Sequence, residues 1–198
     1  MTARLVVLAS GNGSNLQALL DASQSGELDA TIVAVISNNA DASALTRAIS
    51  SGAAAVIVAA EPGEPRTAFD ARLADACAEF SPDYVVLAGW MRLLSMAFLS
   101  NFPQRVVNLH PALPGEFPGT HAIKRALQAH QRLGLGRTGA MVHFVPDEGV
   151  DNGPVIATVE VPIEPDDTVE SLEQRVHTAE HALLVKAIQQ LVTSPRDA

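Results

Sequence analysis

The chain has 198 residues, 47% of them hydrophobic, with a net charge of −9 and a single cysteine, Cys77. A chain of this length can bury roughly 70% of its unfolded surface around one core, which leaves little room for a second domain. Its acidity and lack of a Lys/Arg run exclude nucleic acid as a partner, the lone cysteine excludes an internal disulfide and points to a reducing, cytoplasmic compartment, and no apolar run is long enough to span a membrane.

Residues 5–9, Leu-Val-Val-Leu-Ala, form a continuous apolar run that suits a strand of a parallel sheet covered on both faces. Residues 10–14 follow as a polar, glycine-bearing turn, and residues 15–23 carry helical spacing at Leu16, Leu19 and Leu20. The same order recurs with strands over 31–36, 55–58 and 84–88, helices over 43–51, 67–79 and 95–101, and a further strand over 106–110. A Pro/Gly loop over 111–119, a helix over 120–129 and a glycine-bearing connector over 132–136 come next. Strands over 140–145 and 155–161 and a long helix over 169–192 complete the pattern. Residues 1–193 thus read as one α/β domain, a Rossmann-like, mostly parallel twisted sheet with helices on both faces and a long C-terminal helix, and residues 194–198 as a frayed tail. Right-handed crossovers put the loops after successive parallel strands on one edge, so residues 11–15, 89–92 and His110 should share a cleft.

Asn108 and His110 stand two apart in a strand and so point the same way. An imidazole titrates near neutrality, and a carboxylate beside it favours its charged form, so Asp151 in the turn between two later strands is the candidate partner. An amide, an imidazole and an acid together suit acyl transfer. Gly11, Gly13 and the polar residues around them can cradle a phosphate on backbone N–H groups at a helix N-terminus; the alternative is a plain tight turn. The second strand ends in Ser37, Asn38 and Asn39 rather than an acid, which disfavours a nicotinamide dinucleotide. His177 and Glu180 share a helix face suited to a sugar or phosphate, while Arg66 and Arg92 are cations near the cleft edge, able to meet a carboxylate or to pair on the surface. His121 and His143 lack compact metal-ligand spacing, so no metal site is expected.

Residues 10–17, 87–94, 108–112, 117–119 and 147–156, in this order and spacing, resemble the phosphoribosylglycinamide formyltransferases, a folate-dependent family of purine synthesis. The resemblance covers nearly the whole chain. It implies that Gly13, Ser14, Asn15, His177 and Glu180 hold the phosphoribosylglycinamide. It further implies that Arg66, Met91, Arg92, Leu93 and Leu94, with Asp147, Glu148, Gly149 and Val150, bind the folate, and that Asn108, His110 and Asp151 are catalytic. The substrate amine would attack the formyl carbon of 10-formyltetrahydrofolate. Asn108 and a protonated His110 would donate to the developing oxyanion, at about 2.7 to 4 kcal/mol per donor, with Asp151 raising the His110 pKa. Small-molecule substrates are the only partners implied, without metal, nucleic acid or membrane; a homodimer is left open. The chain departs from the family at residues 112–116, Ala-Leu-Pro-Gly-Glu in place of Ser-Leu-Leu-Pro, and at His177, where Lys or Gln is usual.

Formyltetrahydrofolate hydrolase, with water as acceptor, is the alternative; its N-terminal regulatory domain has no counterpart ahead of the strand at Leu5. Methionyl-tRNA formyltransferase would require an RNA-binding module and a basic surface. A phosphosugar-binding protein without catalysis would not need the trio.

Overall fold

The computed structural model describes residues 2–194, so residues 195–198 of the expected tail lie outside the described residues. In chain order the elements are β1 (Ala3–Leu8), α1 (Ser14–Ser25), β2 (Ala30–Ser37), α2 (Ser43–Ser51), β3 (Ala54–Ile57), α3 (Arg66–Ala78) and β4 (Tyr84–Leu87). There follow α4 (Met96–Leu99), β5 (Val106–His110), α5 (Ala122–Leu133), β6 (Arg137–Phe144), β7 (Val155–Pro162) and α6 (Val169–Thr193). The seven strands form one sheet in the order β3-β2-β1-β4-β5-β6-β7. β1 to β5 run parallel, whereas β6 is antiparallel to β5 and β7 antiparallel to β6.

The apolar runs explain the layering. Leu5 and Val7 of β1 enter one core, with Leu16 and Leu19 of α1, Ala44 of α2, and Leu184 and Ile188 of α6. Val6 and Leu8 enter the other, with Phe69 and Leu73 of α3 and Phe98 of α4. Each fully buried Leu, Ile or Phe contributes roughly 1.5 to 3 kcal/mol, so the two cores fix the helices to opposite faces. Cys77 belongs to the second core, where burial pushes its thiol up to about 12. Among the described residues no helix is long and apolar enough to cross a membrane.

The elements differ from expectation mainly at their ends. α5 starts two residues late, at Ala122, and continues through Leu133 until Gly134 caps it in the left-handed conformation. Arg132 and Leu133 are therefore helical rather than part of the connector. β6 begins at Arg137, three residues ahead of the apolar run, because pairing with β7 carries the polar Thr138 into the sheet. α4 is a single turn, Met96–Leu99.

Candidate active site

β5 supplies the centre. Val107 and Leu109 point into the α1/α6 core, which leaves Val106, Asn108 and His110 on the opposite face. β6 then turns back along β5 and ends level with Val107, so the segment over 145–154 must return along that face to reach His110. It does so. Asp151 Oδ2 stands 3.2 Å from His110 Nδ1, and Asp151 Oδ1 accepts a hydrogen bond of 3.1 Å from Asn108 Nδ2. The Gly119 N–H donates to Asp151 Oδ2 at 2.8 Å, joining the loop after β5 to the same carboxylate. Asp151 adopts a φ of 51°, which the bend into Asn152 and Gly153 imposes.

A fourth side chain belongs to the group. His143 lies directly across from Asn108 in the β5–β6 pairing and is 2% exposed. Its Nδ1 lies 2.8 Å from the Phe144 carbonyl, and its Nε2 lies 3.2 Å from Asn108 Nδ2 and 3.5 Å from Asp151 Oδ1. The Asn108 NH2 group therefore meets both His143 and Asp151. The reverse orientation of the amide would set its oxygen against the carboxylate. The sequence offered His143 only as a metal candidate; its place beside Asn108 follows from antiparallel register, which spacing does not reveal.

Asp151 does act to raise the His110 pKa, but burial opposes it. His110 is 4% exposed, and burial pushes its ring pKa down by more than the Asp151 carboxylate and the Phe117 carbonyl pull it up. The net direction is downward, not upward. Yet both ring nitrogens face oxygen acceptors, Asp151 Oδ2 and the Phe117 carbonyl at 3.1 Å from Nε2, and only the doubly protonated ring satisfies both. Burial thus works against the charged ring, and its two oxygen contacts work for it. Asp151 itself remains an anion: burial acts to raise its pKa, but its contacts with His143, the Gly119 N–H and His110 bring it below its ordinary value.

The loop after β5 has a defined shape. The Glu116 N–H bonds the Leu113 carbonyl at 2.9 Å around Pro114 and Gly115, whose φ of 77° makes this a type II turn. The unusual residues over 112–116 are thus a Pro-Gly turn standing on the buried Ala112 and Leu113. Arg125 Nη2 donates to the Phe117 and Pro118 carbonyls at 2.6 and 2.5 Å, and the Phe117 carbonyl also faces His110 Nε2.

On the other side of β1, Gly13 caps α1 with a φ of 77° and without a side-chain hydrogen bond, so the first-turn N–H groups of the helix keep no side-chain acceptor. A Cβ at Gly13 would lie 2.9 Å from the Ala44 Cβ, closer than carbon atoms tolerate. Ser14 faces His177 and His181 of α6 across a cleft. Glu180 is buried beside it: Asn15 Nδ2 donates to Glu180 Oε2 at 3.5 Å, His177 Nε2 is 3.9 Å away, and burial raises the carboxyl pKa to about 7. Asn15 Oδ1 and His181 Nε2 are buried without a hydrogen-bond partner.

The segment over 91–94 divides. Met91 and Leu93 are exposed, whereas the Leu94 side chain packs in the core. Arg92 stacks its guanidinium 4.3 Å above the Phe69 ring rather than standing free. The Met91 N–H donates to Ser10 Oγ at 2.9 Å, tying this segment to the glycine loop. Arg66, the first residue of α3, pairs with Glu148, and Glu148 also accepts from the Met96 N–H at 3.0 Å. Those contacts hold the Glu148 carboxyl below its usual pKa, the Met96 N–H contributing most. Ser95, next to Met96, gives its N–H to the buried Asp70 at 2.6 Å. Asp147 turns inward on its own loop, accepting from the Gly149 N–H at 2.8 Å. Val150 is 39% exposed, its Cγ1 4.0 Å from where a Gly119 Cβ would stand.

Known proteins are similar to this chain along nearly its whole length. The family model described as formyl transferase matches residues 3–188. A phosphoribosylglycinamide formyltransferase of Schizosaccharomyces pombe is 43% identical, the match covering 98% of this chain and 99% of that protein. One of Escherichia coli is 44% identical over 90% of this chain and 82% of its own length. The crystal structure of glycinamide ribonucleotide transformylase 1 from Symbiobacterium toebii superposes with a TM-score of 0.91 at 41% identity, covering 96% of this chain and 88% of that one. With the glycine loop, the Asn-His-Asp centre and the sheet order found together over almost the full length, the chain belongs to the formyl transferase family.

Proposed function

We propose that the protein transfers a formyl group from 10-formyltetrahydrofolate to the primary amine of N1-(5-phosphoribosyl)glycinamide, in purine synthesis, and that residues 1–193 act as one formyltransferase domain. The observation that carries this reading is the joining of Asn108, His110 and Asp151 around one carboxylate, at 3.1 and 3.2 Å, on the sheet that also bears the glycine loop. The names of full-length relatives at more than 40% identity support the same substrates.

The amine nitrogen attacks the formyl carbon, forming a C–N bond and a tetrahedral oxyanion. The bond from that carbon to the folate nitrogen then breaks, and one proton passes from the attacking amine to the leaving nitrogen. A neutral His110 can take that proton and return it, and the imidazolium formed between is held by Asp151. In that state its Nε2–H donates to the oxyanion in place of the Phe117 carbonyl, and Asn108 adds a second donor by releasing one of its two present partners. Gly13, Ser14 and Asn15 hold the phosphoribosyl group, with His177 and Glu180 on the facing helix. Arg66 reaches the folate's carboxylate, the segment over 91–94 and the loop over 147–150 enclose its ring system, and no metal takes part.

Purified protein supplied with both substrates should yield formylated ribonucleotide and tetrahydrofolate in equal amounts. Omitting the ribonucleotide should stop folate consumption. Folate consumed at the same rate without acceptor would identify a hydrolase, and no reaction with both present would reject the assignment.

A further inference from the structure

Arg47 of α2 is half-buried and points at the glycine loop. Its Nε donates to the Asn12 carbonyl at 2.9 Å, Nη2 to Asn12 Oδ1 at 3.1 Å, and Nη1 to Gln17 Oε1 at 2.9 Å. One planar guanidinium therefore grips both ends of the loop, before Gly13 and inside the first turn of α1. α2 reinforces the grip: the Ala44 N–H bonds the Gly11 carbonyl at 3.2 Å, and Arg47 Cδ lies 3.4 Å from where a Gly13 Cβ would stand. The oxygens on Arg47 are all neutral, from a backbone carbonyl and two amides, so the guanidinium keeps its full charge beside the loop. That charge matters in a chain of net charge −9, whose cleft at Ser14 is also lined by Glu170 and Glu173.

We propose that Arg47 is a positioning residue for the phosphate end of the ribonucleotide. By donating to the loop's oxygens it turns the N–H groups of Gly13 and Ser14 outward, and its unneutralised charge lies behind them, where it attracts a phosphate dianion. The inference rests on the assignment of the loop at Gly13 to the phosphoribosyl group. It concerns binding of one substrate only, since Arg47 touches neither the Asn108 centre nor the segment over 91–94.

Steady-state kinetics with each substrate varied in turn test it. Arg47→Gln should raise KM for the ribonucleotide about tenfold, the size of one lost charge-assisted interaction, and leave kcat and the folate KM within about twofold. The inhibition constant of inorganic phosphate, competing with the ribonucleotide, should rise in parallel. Arg47→Lys keeps the charge but not the fork and should recover part of the loss. It also serves as the test variant should Arg47→Gln not fold. An unchanged ribonucleotide KM, or an equal fall in kcat and rise in folate KM, would overturn the proposal. Gly13→Ala separates this outcome from failure of the underlying site. If that change weakens ribonucleotide binding and Arg47→Gln does not, the role of Arg47 is wrong and the loop assignment stands; if neither weakens it, both fall.

Discussion

Asp151 touches every other member of the centre: Asn108, His110, His143 and the Gly119 N–H. Removing its charge while keeping its shape should therefore act on the imidazole directly. Burial already lowers the His110 pKa, and the Asp151 carboxylate is the largest influence opposing that shift. In Asp151→Asn the ring should titrate at still lower pH, as read from the His110 proton resonance, and turnover should fall about 100-fold or more with the loss of a proton relay and an oriented donor. A ring that titrates unchanged would remove Asp151 from its assigned role. His143 would then stand as the remaining side-chain neighbour of Asn108, a residue to which sequence spacing gives no pointer. Glu180 was chosen for its place on a helix face, yet it is buried, with Asn15 as its hydrogen-bond partner.

At the level of elements, the strands of the parallel half were legible because each is a short apolar run covered on both faces, as with Leu5, Val6, Val7 and Leu8, all fully buried. The antiparallel end was less so. Arg137 and Gly139 carry little strand signal, yet both lie within β6 because β7 supplies their pairing. Gly139 is there for space: a Cβ would run into the Val159 carbonyl and the Leu113 side chain beneath the Pro-Gly turn. Gly139→Ala should cost about 1 to 3 kcal/mol through displacement of β7 and the loop over 111–119, visible as a lower denaturation midpoint. An unaltered midpoint would mean that the strands separate without penalty. The return of the segment over 145–154 was equally hidden, since a reversal between β6 and β7 predicts a turn but not the face on which it lies. Arg47 left no signal either: a cation on an amphipathic helix looks the same whether it meets solvent or a loop.

Across the whole molecule, α6 closes against α1 and brings a carboxyl group into the interior. The Glu180 pKa, raised by burial from 4.5 to about 7, means that the fold holds a proton which the unfolded chain has already released between those values. Its contribution to stability is full below about pH 4.5 and lost as pH rises through 7. Glu180→Gln cannot ionise, so the decline in unfolding free energy over this range should flatten by about 3 kcal/mol at most, in denaturant titrations at fixed pH. Identical slopes for the two proteins would show that Glu180 is charged throughout.

The two halves of the site are built from very different lengths of chain. Asn108, His110, His143 and Asp151 span 43 positions at most, whereas Asn15 meets Glu180 across 165. During synthesis from the N-terminus, the Asn108 centre has all its parts once β6 and the Asp151 turn have emerged, but the cleft at Ser14 has only one wall until α6 follows. Closure of that cleft is thereby coupled to completion of the fold, and under the proposed function a nascent chain that already carries the Asn-His-Asp centre has no closed place in which to hold the phosphosugar.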